Sequence, residues 1–141
     1  MKGKQYLVIF VDDSPSAREV VEDGFKDSGY LLVTAAGVVE LENQVLTSSE
    51  TLKQVDLFIF DFDMPYLTGT QIASAMDRVY AELKDVPFLI FSGRPQDEVL
   101  KSIETSKKSS PSFARNYKGF VPKKENSLSD LLAVVGKILK K

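Results

Sequence analysis

Five short apolar runs, each divided from the next by residues suited to a helix, constrain this chain more than any other feature. They are YLVIFV (6–11), LLVTAA (31–36), VDLFIFD (55–61), VPFLIFS (86–92) and GFVP (119–122). Runs that do not alternate with polar residues imply strands covered on both faces, which is the condition of a parallel sheet. Ser14 and Pro15 suit an N-cap and a first helical position, Ala17, Val20, Val21 and Phe25 share one helical face, and Gly29 suits the exit. Residues 38–54 read as a second helix, which TSSE either breaks or restarts. Ile72, Ala75, Met76, Val79 and Leu83 line a third, a short fourth is expected near 96–105, and a final helix opens with SLSD and buries Leu128, Leu131, Leu132, Val135, Ile138 and Leu139. The expected architecture is α/β: a doubly wound five-stranded parallel sheet with helices on both faces.

At 141 residues and 43% hydrophobic, the chain is expected to form one domain across residues 1–141. Eighteen basic and twenty acidic residues give a net charge of −2, so no overall basic footprint for nucleic acid is present. The first apolar run reaches Asp12 and Asp13 too early for a signal segment or a membrane span. Cysteine is absent, which removes disulfides and thiolate chemistry and fits a cytoplasmic setting. Histidine is absent too, so any chemistry must run on carboxylates, lysines, hydroxyls and a bound metal.

In a doubly wound sheet the ligand sits beyond the carboxyl ends of the strands. Those ends carry Asp12 and Asp13, then Asp61 and Asp63, then Ser92 and Gly93, then Lys123 and Lys124. Taken alone, Asp12-Asp13 and Ser92-Gly93 read more readily as ordinary turns and Lys123-Lys124 as an ordinary surface pair, and DMPYLTG as a loop and helix start. Taken together, acids converging on one edge repel unless a cation joins them, and Mg²⁺ on Asp13 and Asp61 suits hard oxygen ligands. Lys123 then offers a point charge to a phosphoryl oxygen, Ser92 a hydroxyl, Gly93 an unhindered N–H, and Asp61 a nucleophile.

These motifs resemble the response-regulator receiver domains, the CheY-like phosphoacceptors of two-component signalling, which have a flavodoxin-like fold. FDFDMPYLTG resembles the acceptor motif, VDDS the acid pair, FSG the switch hydroxyl and GFVPKK the active-site lysine. The resemblance implies that Asp61 is the phosphoacceptor, with Pro65 and Gly69 in register. It implies a Mg²⁺ site of Asp12, Asp13 and Asp61, with a backbone carbonyl at Asp63. Ser92 and Phe120 would be the switch pair, and Gly93 and Lys123 would contact the phosphoryl group. A histidine kinase or phosphotransfer protein would be the donor, and the chain would catalyse its own phosphorylation and slow hydrolysis. Because the final helix uses the residues after Lys124, output is expected through a downstream target protein or a homodimer on the face of the fourth helix, fifth strand and fifth helix.

Three departures accompany the resemblance. Lys124 stands where the family often has proline, Asp63 places an acid two positions after the acceptor, and the stretch from Ser92 to Lys123 is long. Its segment 105–118 is polar and serine-rich, and from Thr105 to Lys124 there are six basic residues and no acid. It reads as a solvated loop, with docking of an acidic partner as the lesser alternative. Two rival functions are a haloacid-dehalogenase-type phosphatase, from the Asp-x-Asp of FDFDMP, and a pseudo-receiver that keeps the fold without phosphorylation. The first is disfavoured because its metal acids should follow the lysine.

Overall fold

The structure is a computed structural model that describes residues 5–64, 67–108, 111–124 and 127–139, without the side chain of Pro111. Its strands are β1 (Leu7–Val11), β2 (Leu31–Ala35), β3 (Val55–Phe60), β4 (Phe88–Ser92) and β5 (Tyr117–Pro122). All pair in parallel in the order β2-β1-β3-β4-β5. The order reverses direction between β1 and β3, which opens a crevice beyond their carboxyl ends.

Alternation along the strands builds two cores. Ile9, Val11, Phe58, Phe60 and Ile90 face one helical layer, and Val8, Phe10, Leu57, Ile59 and Leu89 face the other. Every residue of β1 and of β4 is buried, which explains why neither carries an alternating polar position.

α1 (Pro15–Phe25) starts as expected, with Ser14 Oγ accepting from the Ala17 N–H. It buries Val21 and Phe25, while Val20 stays 57% exposed. Gly29 lies beyond the helix end at φ +89°, a conformation glycine adopts without strain. Together with α7 (Ser127–Leu139), α1 covers one face; a Cβ on Gly24 would come within 2.1 Å of Leu128, so the absent side chain permits their close approach. α7 buries Leu131, Val135 and Leu139 and leaves Leu128, Leu132 and Ile138 partly exposed. Ser127 is its first helical residue rather than its cap.

The expected helix over 38–54 is three pieces: α2 (Val38–Leu41), a π-helical turn (Glu42–Leu46) and α3 (Ser49–Leu52). The wider turn lets both Val45 and Leu46 reach the core, and Ser48 Oγ caps the restart by accepting from the Thr51 N–H. α4 (Gly69–Val79) opens with a capping box of Thr68 and Gln71. It buries Ile72, Ala73 and Met76, and Val79, expected on that face, is 69% exposed. Leu83 is buried from a short 3₁₀ turn, Ala81–Leu83.

The largest difference falls in the segment expected to be a loop. α5 (Gln96–Lys107) runs past its expected end, and a further helix, α6 (Pro111–Asn116), leads directly into β5. Phe113 is 1% exposed and lies 5.0 Å from Phe88, ring centre to ring centre, so its burial holds the segment on the core. No helix among the described residues is long and apolar enough to cross a membrane.

Candidate functional site

A cleft of about 450 Å³ at the carboxyl ends of β1, β3 and β4 gathers nearly every residue singled out in the sequence. Asp12, Asp13, Asp61, Asp63, Ser92, Gly93 and Lys123 line it, joined by Ser14, Arg94 and Pro95.

Backbone pairing sets the register of the acids. The Asp61 N–H donates to Val11 O at 2.9 Å, the Asp12 N–H to Ala35 O at 3.0 Å, and the Lys123 N–H to Ser92 O at 2.9 Å. The sheet ladder therefore continues one step past the strands and presents these residues at its rim. Gly69 makes this possible on the β3 side: a Cβ there would lie 2.3 Å from Asp61 O and 2.9 Å from Phe60 Cβ.

Carboxylate oxygens of Asp12, Asp13 and Asp61 all lie within 4.8 Å of one another. Asp12 and Asp61 are buried, and Asp13 is exposed. Lys123 Nζ donates to Asp12 Oδ2 at 2.6 Å and to Asp61 Oδ1 at 3.3 Å. The other Asp12 oxygen accepts from the Ser14 N–H at 3.0 Å, and Arg18 Nη1 donates to Asp12 O at 2.8 Å. Burial and then the Asp12 charge push the Asp61 carboxyl up to about 6, with Lys123 pulling against them. Burial draws the Lys123 ammonium down, but the hydrogen bond to Asp12 and the charge of Asp61 outweigh it, so its pKa rises. At neutral pH the pair is therefore an ammonium beside a carboxylate that burial destabilises.

Ser92 is 1% exposed, and its Oγ accepts from the Arg94 N–H at 3.1 Å. Phe120 lies outside the cleft. It is partly buried on β5, opposite Ile90, against the core beneath α4 and α5. The Asp63 carboxylate stands apart from the three clustered acids and accepts from Arg94 Nη2 at 3.2 Å. Arg94 also reaches Glu98 at 3.1 Å. Its guanidinium pKa is raised by the hydrogen bond to Asp63 and by the nearby acids. The sequence reading omitted Arg94; its only signal there was a basic residue immediately after Gly93. Pro65, expected in register after the acceptor, lies outside the described residues.

A family model for the response regulator receiver domain matches residues 8–107. Among curated proteins none matches by sequence. The fold is similar to two solved structures of the Vibrio cholerae chemotaxis protein CheY4. One has 24% identity and a TM-score of 0.76 over 96% of this chain and 100% of that one. The other has 25% identity and a TM-score of 0.70 over 93% and 99%. It is also similar to the response regulator TrrA of Thermotoga maritima, solved in complex with Mg²⁺ and BeF, at 22% identity and a TM-score of 0.69 over 96% and 100%. The sequence match ends at Lys107, just before α6, whereas the structural matches extend across the chain.

Proposed function

The chain belongs to the response regulator receiver family of two-component signalling, and on that premise we propose that Asp61 accepts a phosphoryl group from the phosphohistidine of a kinase or phosphotransfer protein. The observation that carries this reading is the convergence of three carboxylates with one lysine donating to two of them. The donor set fits Mg²⁺, being all oxygen and open to solvent at Asp13. Asp12, Asp13 and Asp61 would hold it, with the backbone carbonyl of Asp63 as a further ligand. When bound, Mg²⁺ would offset the repulsion among these acids and the charge on the phosphoryl oxygens.

The remaining roles belong to the chain. With its pKa near 6, Asp61 is mostly a carboxylate at pH 7 and so is competent as a nucleophile. Its oxygen bonds to phosphorus as the phosphorus–nitrogen bond of the donor breaks. The electron pair stays on the imidazole nitrogen, which takes a proton from solvent. Lys123, held charged by its acidic neighbours, donates to a phosphoryl oxygen while keeping Asp12 neutralised. The Gly93 N–H is a second donor, and Ser92 becomes a third when its hydroxyl turns toward the phosphoryl group. The same chemistry run with water gives slow loss of the group.

Output follows from that turn. Closure of Ser92 and inward rotation of Phe120 would reshape the face formed by α5, β5 and α7, which docks a downstream target protein or a second copy. On this reading residues 1–141 act as one receiver unit. The Asp-x-Asp phosphatase alternative needs Asp63 as an acid or base beside Asp61, and the pairing of Asp63 with Arg94 counts against it.

The test is titration with beryllofluoride, a phosphoryl mimic, in the presence of Mg²⁺. One equivalent should bind the wild type and none the Asp61→Asn variant; undiminished binding by the variant would overturn the assignment.

A further inference from the structure

α6 sits at the opposite end of the sheet from the cleft, and its contacts point inward. Ser112 Oγ donates to Asp77 Oδ2 of α4 at 2.6 Å. Asn116 Nδ2, from a residue only 6% exposed, donates to Lys84 O at 2.7 Å. Arg115 pairs with Asp85 at 2.9 Å, and Phe113 packs on Phe88, the first residue of β4. Two of the four cations in segment 105–118 also pair within the chain, at its surface: Lys107 with Glu104 and Arg115 with Asp85. The inward contacts of Ser112, Phe113 and Asn116 give the segment an internal role.

Two elements lead from the cleft toward the docking face, and both are anchored to α6. β5 follows Asn116 without a gap, and only two residues separate the Lys108 cap of α5 from Pro111. Their cleft-facing ends are tied instead to the site, α5 through the Arg94–Glu98 pair and β5 through Lys123 on Asp12 and Asp61. α5 begins at Gln96 with no side-chain cap, and Gly119, at φ +140°, stands between Tyr117 and Phe120. Glycine turns there at little cost, which offers a pivot between Tyr117, packed 5.6 Å from Phe88, and the carboxyl half of β5. The β4–β5 register also shifts between Phe88 and Ile90, marking the same division.

We propose that α6 is a clamp: it binds α4, the turn before β4 and the start of β5 into one body, with Gly119 as the hinge that separates this body from the switch. A change that begins at the cleft is thereby confined to the first turns of α5 and the carboxyl half of β5. This rests on the phosphoacceptor reading for the source of the change, though not for the restraint itself.

Hydrogen exchange by mass spectrometry on the whole chain tests it, comparing wild type with Ser112→Ala/Asn116→Ala. Without ligand, the variant should exchange about tenfold or more faster across 84–88 and 111–118, with 7–11 unchanged. With Mg²⁺ and beryllofluoride, the wild type should change across 92–104 and 119–123 but not across 84–88 and 111–118, and in the variant the change should spread into those two segments. Equal ligand-free exchange in the two proteins overturns the clamp, and so does a wild-type α6 that responds to beryllofluoride as strongly as 92–104. If beryllofluoride alters no segment, the phosphoacceptor reading fails on its own, and the ligand-free comparison still decides whether α6 restrains its neighbours. Should the double variant not fold, Ser112→Ala alone is read by the same criteria.

Discussion

Lys123 Nζ lies 2.6 Å from Asp12 Oδ2, a contact between residues 111 positions apart that links β1 to the end of β5 across the two strands between them. The Asp12 side chain is 1% exposed, so this ammonium is what makes its charge tolerable. Lys123→Ala should therefore lower stability by about 3 kcal/mol at pH 7, because removing one partner strands a buried carboxylate. Urea unfolding without metal measures it. A loss within error would contradict this and show that Lys123 does not stabilise the buried Asp12 carboxylate.

Asp61 predicts a pH dependence of the opposite sign to that of an ordinary salt-bridged acid. Its folded pKa, about 6, lies above the unfolded value of 3.8, so between these the folded state holds more protons. The contribution of Asp61 to stability is thus greatest below about pH 4 and falls through about pH 6, by up to about 3 kcal/mol. Asp61→Asn should remove that loss: relative to wild type it should be more stable at pH 7 and gain nothing at pH 4. Thermal melts in chelator across this range test the sign, and a variant less stable at pH 7 would contradict it.

The positions of the acids were legible because strand ends are legible. An unbroken apolar run broken by Asp-Asp or Asp-x-Asp marks both a strand and its edge, and parallel pairing then brings the edges together. Sequence spacing carried no information about which acid meets which base. Asp63 and Arg94 lie 31 residues apart on different loops, and only the fold pairs them. The break in the helix over 38–54 was half legible, since the serines marked a restart, but the π-helical turn serves the burial of Val45 and Leu46 and has no local signature. α6 carries no helical signature in the sequence because, of its five described side chains, Phe113 is the single large apolar one; tertiary contact rather than periodicity makes it a helix.

Gly69 predicts a substitution whose effect reaches the cleft without altering any cleft side chain. Gly69→Ala would force a Cβ to within 2.3 Å of the Asp61 carbonyl oxygen, so the start of α4 or the end of β3 must shift. The expected cost is about 1–3 kcal/mol, with weaker Mg²⁺ binding from the displaced Asp61. Unfolding and Mg²⁺ titration together check this, and unchanged values in both would show that the helix start yields freely.

Phe113 separates a packed helix from a solvated loop. Phe113→Ala should cost about 3–5 kcal/mol if the ring is part of the core, as its 1% exposure requires. Denaturant unfolding gives the figure, and a change under about 0.5 kcal/mol would return the segment to the surface.

The most direct test of the central claim is intact-mass analysis with peptide mapping after incubation with acetyl phosphate, with and without Mg²⁺. The account predicts a single added phosphoryl group, dependent on Mg²⁺, mapped to Asp61 and lost only slowly. No adduct in either condition, together with failure to bind beryllofluoride, would contradict the phosphoacceptor role and leave a folded receiver that signals through its surfaces alone.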